Sequence, residues 1–184
     1  VKFFDSIHQN PSTLSVTTRC VLAAKARFNT LNDLIENRAV HWDITNSTLQ
    51  DLAYKRVPLI SPFKAGQNLR NLTRDYNLVL HECFLPDLIG HKKDLYRSLE
   101  FLEMFDEFLR GVLNDISSNV QVLISSDHGN MEDLSFGGHN RNQVPLICIG
   151  SLARQFTEIK SINEIFSTLF SRIFNADPIT SNRF

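Results

Sequence analysis

Residues 121–139 read Q-V-L-I-S-S-D-H-G-N-M-E-D-L-S-F-G-G-H. The apolar run Val122, Leu123, Ile124 has the character of a buried strand. It delivers an adjacent Asp127–His128 pair at its carboxyl end. Gly129 and Asn130 follow, and His139 lies beyond a Gly137-Gly138 hinge. Upstream, a second run, Leu78-Val79-Leu80, leads into F-L-P-D-L-I-G-H, which carries Asp87 and His91. Two strand ends that each present an Asp and a His form a divalent-metal pattern. Carboxylate oxygen combined with neutral imidazole nitrogen suits zinc or manganese better than calcium, which takes oxygen alone.

Working outward, strands and helices alternate. Residues 1–4 read as the end of a strand. Residues 13–28 read as a helix with Leu14, Cys20, Val21, Ala23, Ala24 and Ala26 on its apolar side. Residues 30–35 give a short helical turn with Thr30 as cap and Asp33 at the third position. Residues 40–44 read as a short extended piece, and 47–54 as helical. Ser61-Pro62 opens a helix running to about Asp75, because serine caps free N–H groups and proline is pre-set for the first helical position. Residues 77–84 are then a buried strand. Residues 92–116 form a long helix with Leu95, Leu99, Leu102, Phe105, Leu109, Val112 and Ile116 on one stripe. Strands follow at 120–125 and 144–149, the second ended by Gly150. Ser161 and Glu164 make a capping box for a last helix through Phe174. Apolar strands alternating with helices predict an α/β fold with a mostly parallel sheet covered on both faces. Active sites in such sheets gather at the carboxyl ends of strands, where both Asp/His pairs fall.

The chain has 184 residues, which reads as a single domain over 1–184 with a real core. Hydrophobic residues at 42% and charged residues at 21% give a soluble globular balance. The net charge of −1 comes with no basic stripe, which argues against a nucleic-acid partner. No apolar run is long enough to span a bilayer. Cys20, Cys83 and Cys148 lie far apart without a CxxC pair, so they read as reduced buried thiols in a cytoplasmic protein.

The metal reading competes with simpler ones. Asp87 and His91, four apart, reach one ion if Gly90-His91 opens the long helix and Asp87 sits on the loop before it. Asp127 could cap a turn with His128 at the surface, but the second pair favours metal. His139 needs the Gly137-Gly138 freedom to fold back. Glu132 and Asp133 read as solvated carboxylates outside the site. His8 says little. His41, beside Trp42 and Asp43, reads as a packed or hydrogen-bonded histidine. His81 reads as structural, with Glu82 on the opposite face.

The motifs D-L-I-G-H (Asp87, Gly90, His91), S-D-H-G-N (Ser126 to Asn130) and H-N-R-N-Q-V-P (His139 to Pro145) together resemble the alkaline phosphatase superfamily. Within it they are most similar to the cofactor-independent phosphoglycerate mutase branch and its compact bacterial metalloenzyme relatives. The segments R-F-N-T-L-N-D-L (from Arg27), A-V-H-W-D-I-T-N (from Ala39) and V-P-L-I-S-P-F-K-A-G (from Val57) carry the same likeness. The resemblance implies two divalent ions, manganese or zinc, in the complete site. Asp87, His91 and His139 would hold one, and Asp127 with His128 the other. It implies phosphoryl transfer on a small phosphorylated substrate, as a phosphate-ester hydrolase or a mutase-type isomerase. In the mechanism that the resemblance implies, a serine or threonine would attack phosphorus in line and the ions would offset charge on the phosphoryl oxygens.

The sequence departs from that pattern. The family completes its second ion site with an aspartate on the first strand and follows it with the nucleophile, and neither is identified here. The catalytic and substrate-binding residues are therefore unassigned. The family's opening strand, ending in Asp-Gly, is expected to precede Val1 as an amino-terminal segment. Ser12, Thr13, Ser15, Thr17 and Thr18 lie on or beside the first helix and are not assigned as nucleophile. Pro86 stands for the usual threonine before Asp87, and Asn140 and Gln143 for the threonine and proline after His139. These positions bear on substrate fit rather than on the metal. Two other readings follow: a non-catalytic metal-binding or interaction domain derived from the fold, and a single-ion hydrolase using Asp87, His91 and His139.

Overall fold

A computed structural model describes residues 14–174, and residues 1–4 of the expected first strand lie outside that range. The described elements are α1 (Val16–Ala23), α2 (Leu31–Ile35), α3 (Ser47–Asp51), α4 (Pro62–Leu72), α5 (Leu85–Lys92), α6 (Leu95–Leu113), β1 (Val122–Ser125), β2 (Leu146–Ile149), a 3-10 turn (Ala153–Phe156) and α7 (Ile162–Phe174). They fall into two compact units. The first takes in the described part of Val1–Phe84 with Phe105–Val112, and the second takes in Leu85–Met104 with the described part of Leu113–Phe184.

Local sequence chemistry builds the first unit. Ser61 accepts the Lys64 N–H at 3.2 Å and Pro62 fills the first helical position, so α4 starts where the sequence predicts. The α2 capping box forms in both halves: Thr30 Oγ1 accepts from the Asp33 N–H, and Asp33 Oδ2 accepts from the Thr30 N–H at 2.7 Å. Asp33 is buried, and the Arg27 guanidinium at 2.8 Å holds its carboxyl well below the usual carboxylate range. Asp43, also buried, accepts from His41 Nδ1 at 2.8 Å, from the Asn46 N–H at 2.9 Å, and from the Thr48 N–H and hydroxyl at 2.7 Å each. His41 is thus a hydrogen-bonded histidine within a loop organised by one carboxylate. Around these polar hubs Ala39, Ile44, Leu49, Val57, Ala65, Phe108 and Val112 form the apolar core.

The strand pattern differs from the expectation. The described residues contain one sheet, of two strands, and β1 pairs β2 antiparallel with Val122 opposite Ile149 and Ser125 opposite Leu146. Residues 77–84, expected as a buried strand, join no ladder; Leu78 and Leu80 are 74% and 71% exposed. The antiparallel direction has a simple cause. Parallel neighbours need a crossover, usually a helix. The segment between β1 and β2 contains no helix and instead doubles back through a Gly129–Asn140 antiparallel bridge.

The long helix also differs. The predicted helix 92–116 is observed as α6, Leu95–Leu113, and a separate helix, α5, precedes it, the two parted at Lys93, which has a positive φ of 55°. Asp87 lies in the first turn of α5 rather than on a loop. Pro86 is accommodated there because the first turn has no intrahelical partner for its missing N–H. On α6 the buried positions are Ser98, Phe101, Phe108, Gly111 and Val112, while Leu95, Leu99 and Leu102 are exposed. Of the cysteines, Cys20 is exposed, and Cys83 and Cys148 are half-buried. No helix among the described residues is long and apolar enough to cross a membrane.

Within the first unit, α4 meets the Phe105–Val112 part of α6 backbone to backbone. A Cβ on Gly66 would strike the Phe108 carbonyl, and a Cβ on Gly111 would strike the Phe63 carbonyl. Gly66→Ala or Gly111→Ala therefore lowers stability by about 1–3 kcal/mol despite alanine's better helix propensity. Denaturant titration of each variant checks this; a gain in stability at both positions contradicts it.

His81 packs against Phe108 at 5.4 Å between ring centroids, and its Nε2 is buried without a hydrogen-bond partner. Burial pushes its pKa down to about 4, with the nearby His41 adding to the shift and Asp43 opposing it. Such an imidazole takes up its proton at mildly acid pH only on unfolding. Its contribution is intact above the unfolded value of about 6.5 and declines as pH falls below it, levelling off near the folded value. Denaturation between pH 7 and 4 is expected to show this decline, at up to about 1.4 kcal/mol per pH unit. His81→Phe removes that component, and an unchanged slope in the variant refutes the assignment.

Candidate metal centre

The second unit brings four of the five predicted residues together. Asp87 and His91 sit one turn apart on one face of α5, with His91 Nε2 at 3.3 Å from Asp87 Oδ1. His139 Nε2 approaches the same oxygen at 3.0 Å. His128 stacks on His139 with ring centroids 3.7 Å apart, and donor atoms of Asp87, His128 and His139 all lie within 4.8 Å of one another. Asp127 lies at the cluster's margin: its side chain is 79% exposed, and its Oδ1 is 3.5 Å from His128 Nε2.

The loop that carries three of these residues is a widened hairpin. Beyond the Ser125–Leu146 pair, residues 126–128 face residues 141–145 before the chain pairs again at Gly129–Asn140. The unequal arms bow the ladder open and turn His128 and His139 toward α5. Gly137 has a φ of +69°, so the turn freedom expected of the Gly137-Gly138 pair is used at its first residue. Lys93 Nζ donates to the Ser135 carbonyl at 2.8 Å and ties the loop to the end of α5.

Hydrogen bonding sets the state of the donors. His91 Nδ1 lies 3.0 Å from the Gly137 carbonyl oxygen. A carbonyl only accepts, so Nδ1 carries a proton and Nε2 is the ring nitrogen left facing Asp87. Asn130 Nδ2 donates to Asp87 Oδ1 at 2.9 Å. Glu132 is no loose solvated carboxylate: its Oε2 accepts from the Asn130 N–H at 2.6 Å and its Oε1 from Asn142 Nδ2 at 3.0 Å. What burial Glu132 has opposes its ionisation, but hydrogen bonds from Asn140, Asn142 and Asn130 outweigh it and keep its pKa below the ordinary value. Asp133 accepts from the Ser135 N–H and hydroxyl and stays outside the cluster.

The donor set fits a transition-metal cation. Nitrogen and oxygen ligands at about 2.0–2.2 Å from a tetrahedral zinc-like ion lie roughly 3.3–3.6 Å from one another. The His91–Asp87 spacing of 3.3 Å meets that interval, and the His139–Asp87 spacing of 3.0 Å is a hydrogen-bond distance that an ion would widen slightly. His128 Nδ1 is buried without a hydrogen-bond partner, which a bound cation would explain. Sequence reasoning missed Asn130 and Glu132. Asn130 stands inside the S-D-H-G-N motif, and a carboxylate two residues beyond it was the available signal.

The sequence profile of the Metalloenzyme superfamily matches residues 53–175, and the chain belongs to that superfamily. Membership carries the α/β class with it. Similar curated proteins are cofactor-independent phosphoglycerate mutases, in line with the likeness seen in the motifs. The 2,3-bisphosphoglycerate-independent phosphoglycerate mutase of Coxiella burnetii is 29% identical over 103 residues, which cover 52% of this chain and 20% of that protein. The protein of the same name from Thiobacillus denitrificans is 28% identical over 126 residues, covering 63% of this chain and 25% of the relative. That from Desulforudis audaxviator is 33% identical over 82 residues, covering 41% and 16%. The chain thus matches a quarter or less of the length of these relatives. No solved structure matches it.

Proposed function

We propose that this chain carries the divalent-metal site of a phosphoryl-transfer enzyme, a phosphate-ester hydrolase or a phosphoglycerate mutase-like phosphomutase. Convergence of His91, His139 and Asn130 on one oxygen of Asp87 is the observation that carries the reading. Asp87, His91 and His139 would hold one ion, and His128 with Asp127 would contribute to a second. When bound, the ions supply electrostatic stabilisation of charge on phosphoryl oxygens. The chain's own residues prepare for this. The Gly137 carbonyl fixes the His91 tautomer, and Asn130 holds the Asp87 carboxylate. The relatives' name points to a small phosphorylated substrate.

The two units are read as parts of one metalloenzyme domain, because the superfamily match of 53–175 runs across both. The β1–β2 pair is read as the margin of a larger, mostly parallel sheet. Leu78, Leu80 and Ile147, at 74%, 71% and 47% exposure, support that reading, since a covered sheet would bury them.

A second reading, a non-catalytic metal-binding or interaction domain, has its own support. The loop's serines are engaged: Ser126 Oγ donates to the His128 carbonyl at 2.8 Å, and Ser135 Oγ to Asp133 at 2.5 Å. Neither is set up as a nucleophile.

Elemental analysis of protein purified without added ions tests the shared premise. Zinc or manganese is expected in the wild type. Asp87→Ala and His91→Ala lose it, and Asp127→Ala loses only part. A preparation without stoichiometric divalent metal sinks both readings. Incubating the 184-residue chain with an aryl phosphate separates them. Little or no metal-dependent phosphate release is expected of this chain alone, because no nucleophile is assigned in it. Clear turnover that disappears with His91→Ala would establish catalysis and overturn the second reading.

A further inference from the structure

We infer that Asn130 is a positioning residue for Asp87, and that Glu132 locks Asn130 into that role. The inference rests on the reading of Asp87 as a metal donor. Asn130 is 4% exposed, among the few buried polar side chains. Its amide faces a carboxylate oxygen, which only accepts, so the atom 2.9 Å from Asp87 Oδ1 is the Nδ2 donor. That bond restrains rotation of the Asp87 carboxylate while two imidazole nitrogens approach the same oxygen. A neutral donor does this without adding charge to the cluster.

The surroundings of Asn130 are built for one placement. Its backbone N–H is held by Glu132 Oε2 at 2.6 Å. The other carboxylate oxygen of Glu132 accepts from Asn142 Nδ2 at 3.0 Å, so a single side chain joins both arms of the widened hairpin. On the opposite side, α5 presents Gly90, where a Cβ would collide with Asn130 Oδ1. Bare backbone at that point lets the asparagine reach Asp87, one turn back on the same helix. The Oδ1 atom has no hydrogen-bond partner, so the side chain's one hydrogen bond is the one that orients Asp87. Partners that orient metal donors typically affect metal affinity by about 10- to 100-fold.

Asn130→Leu keeps the branched shape and removes the donor. Glu132→Gln keeps the length but replaces one of the two accepting oxygens with a donor. The probes are zinc and cobalt(II). Affinity is read by competition with a chelator, ligand geometry by the visible spectrum of the cobalt form, and folding by melting of the metal-free protein. For Asn130→Leu the expected result is about 10- to 100-fold weaker binding with an altered cobalt spectrum and a metal-free melting temperature that holds. Glu132→Gln gives a smaller loss in the same direction, and it decides the matter if Asn130→Leu does not fold. Wild-type affinity in both variants overturns the inference. So does a loss of affinity that merely tracks a fall in metal-free melting, because Asn130 then serves folding alone. Failure of the wild type to bind either ion removes the metal reading itself, and this inference with it.

Discussion

One oxygen atom, Asp87 Oδ1, holds the second unit's chemistry together. Three nitrogens from two separate stretches of chain reach it within 3.3 Å. An anionic oxygen approached by that many nitrogens is a focus of polar contacts. Backbone geometry helps to place its neighbours around it. His91 is delivered by helical periodicity, His139 by the return arm of a hairpin, and Asn130 by the close approach of Gly90.

The hairpin shows how a loop acquires a shape. Regular pairing would run straight from β1–β2 into a tight turn. Unequal arms prevent this and open a pocket-like bend, while the Gly129–Asn140 bridge and the Glu132 carboxylate close its far side. Strand pairing supplies rigidity on one flank and side-chain hydrogen bonds supply it on the other. Loops positioned by a rigid scaffold are where binding groups are usually found.

Much of this was legible in the residues, and the misses have physical causes. Asp87 and His91 were recognisable from their place after an apolar run and from the D-L-I-G-H motif, although Asp87 was expected on a loop and lies with His91 on one helix. The break at Lys93 was hidden, since lysine gives no warning of a left-handed backbone. On α6 the period was right but most of the predicted stripe is turned off the core: Ser98, Phe101 and Phe108 are buried, each one position before an expected leucine, while Val112 is buried as expected. A serine does not announce itself as core, and only the bond from its Oγ to the Asp94 carbonyl, at 2.8 Å, makes burial tolerable. Caps were read correctly at Ser61 and Thr30 because they depend on neighbours a few residues away. Strand direction was not readable, because an apolar run looks the same whichever way its partner points. The role of Asn130 was likewise invisible, as it depends on a helix more than forty positions upstream.

A lone two-stranded ribbon is barely self-supporting in water. Among the described residues β1 and β2 have only each other as ladder partners. Their loop is stitched to α5 by contacts that a cation would tighten into coordinate bonds. An ion seated there would thus serve as a rivet, fastening a marginal ribbon to a helix. Loading and local folding then become a single equilibrium, in which chelation loosens the ribbon and the ion sets it.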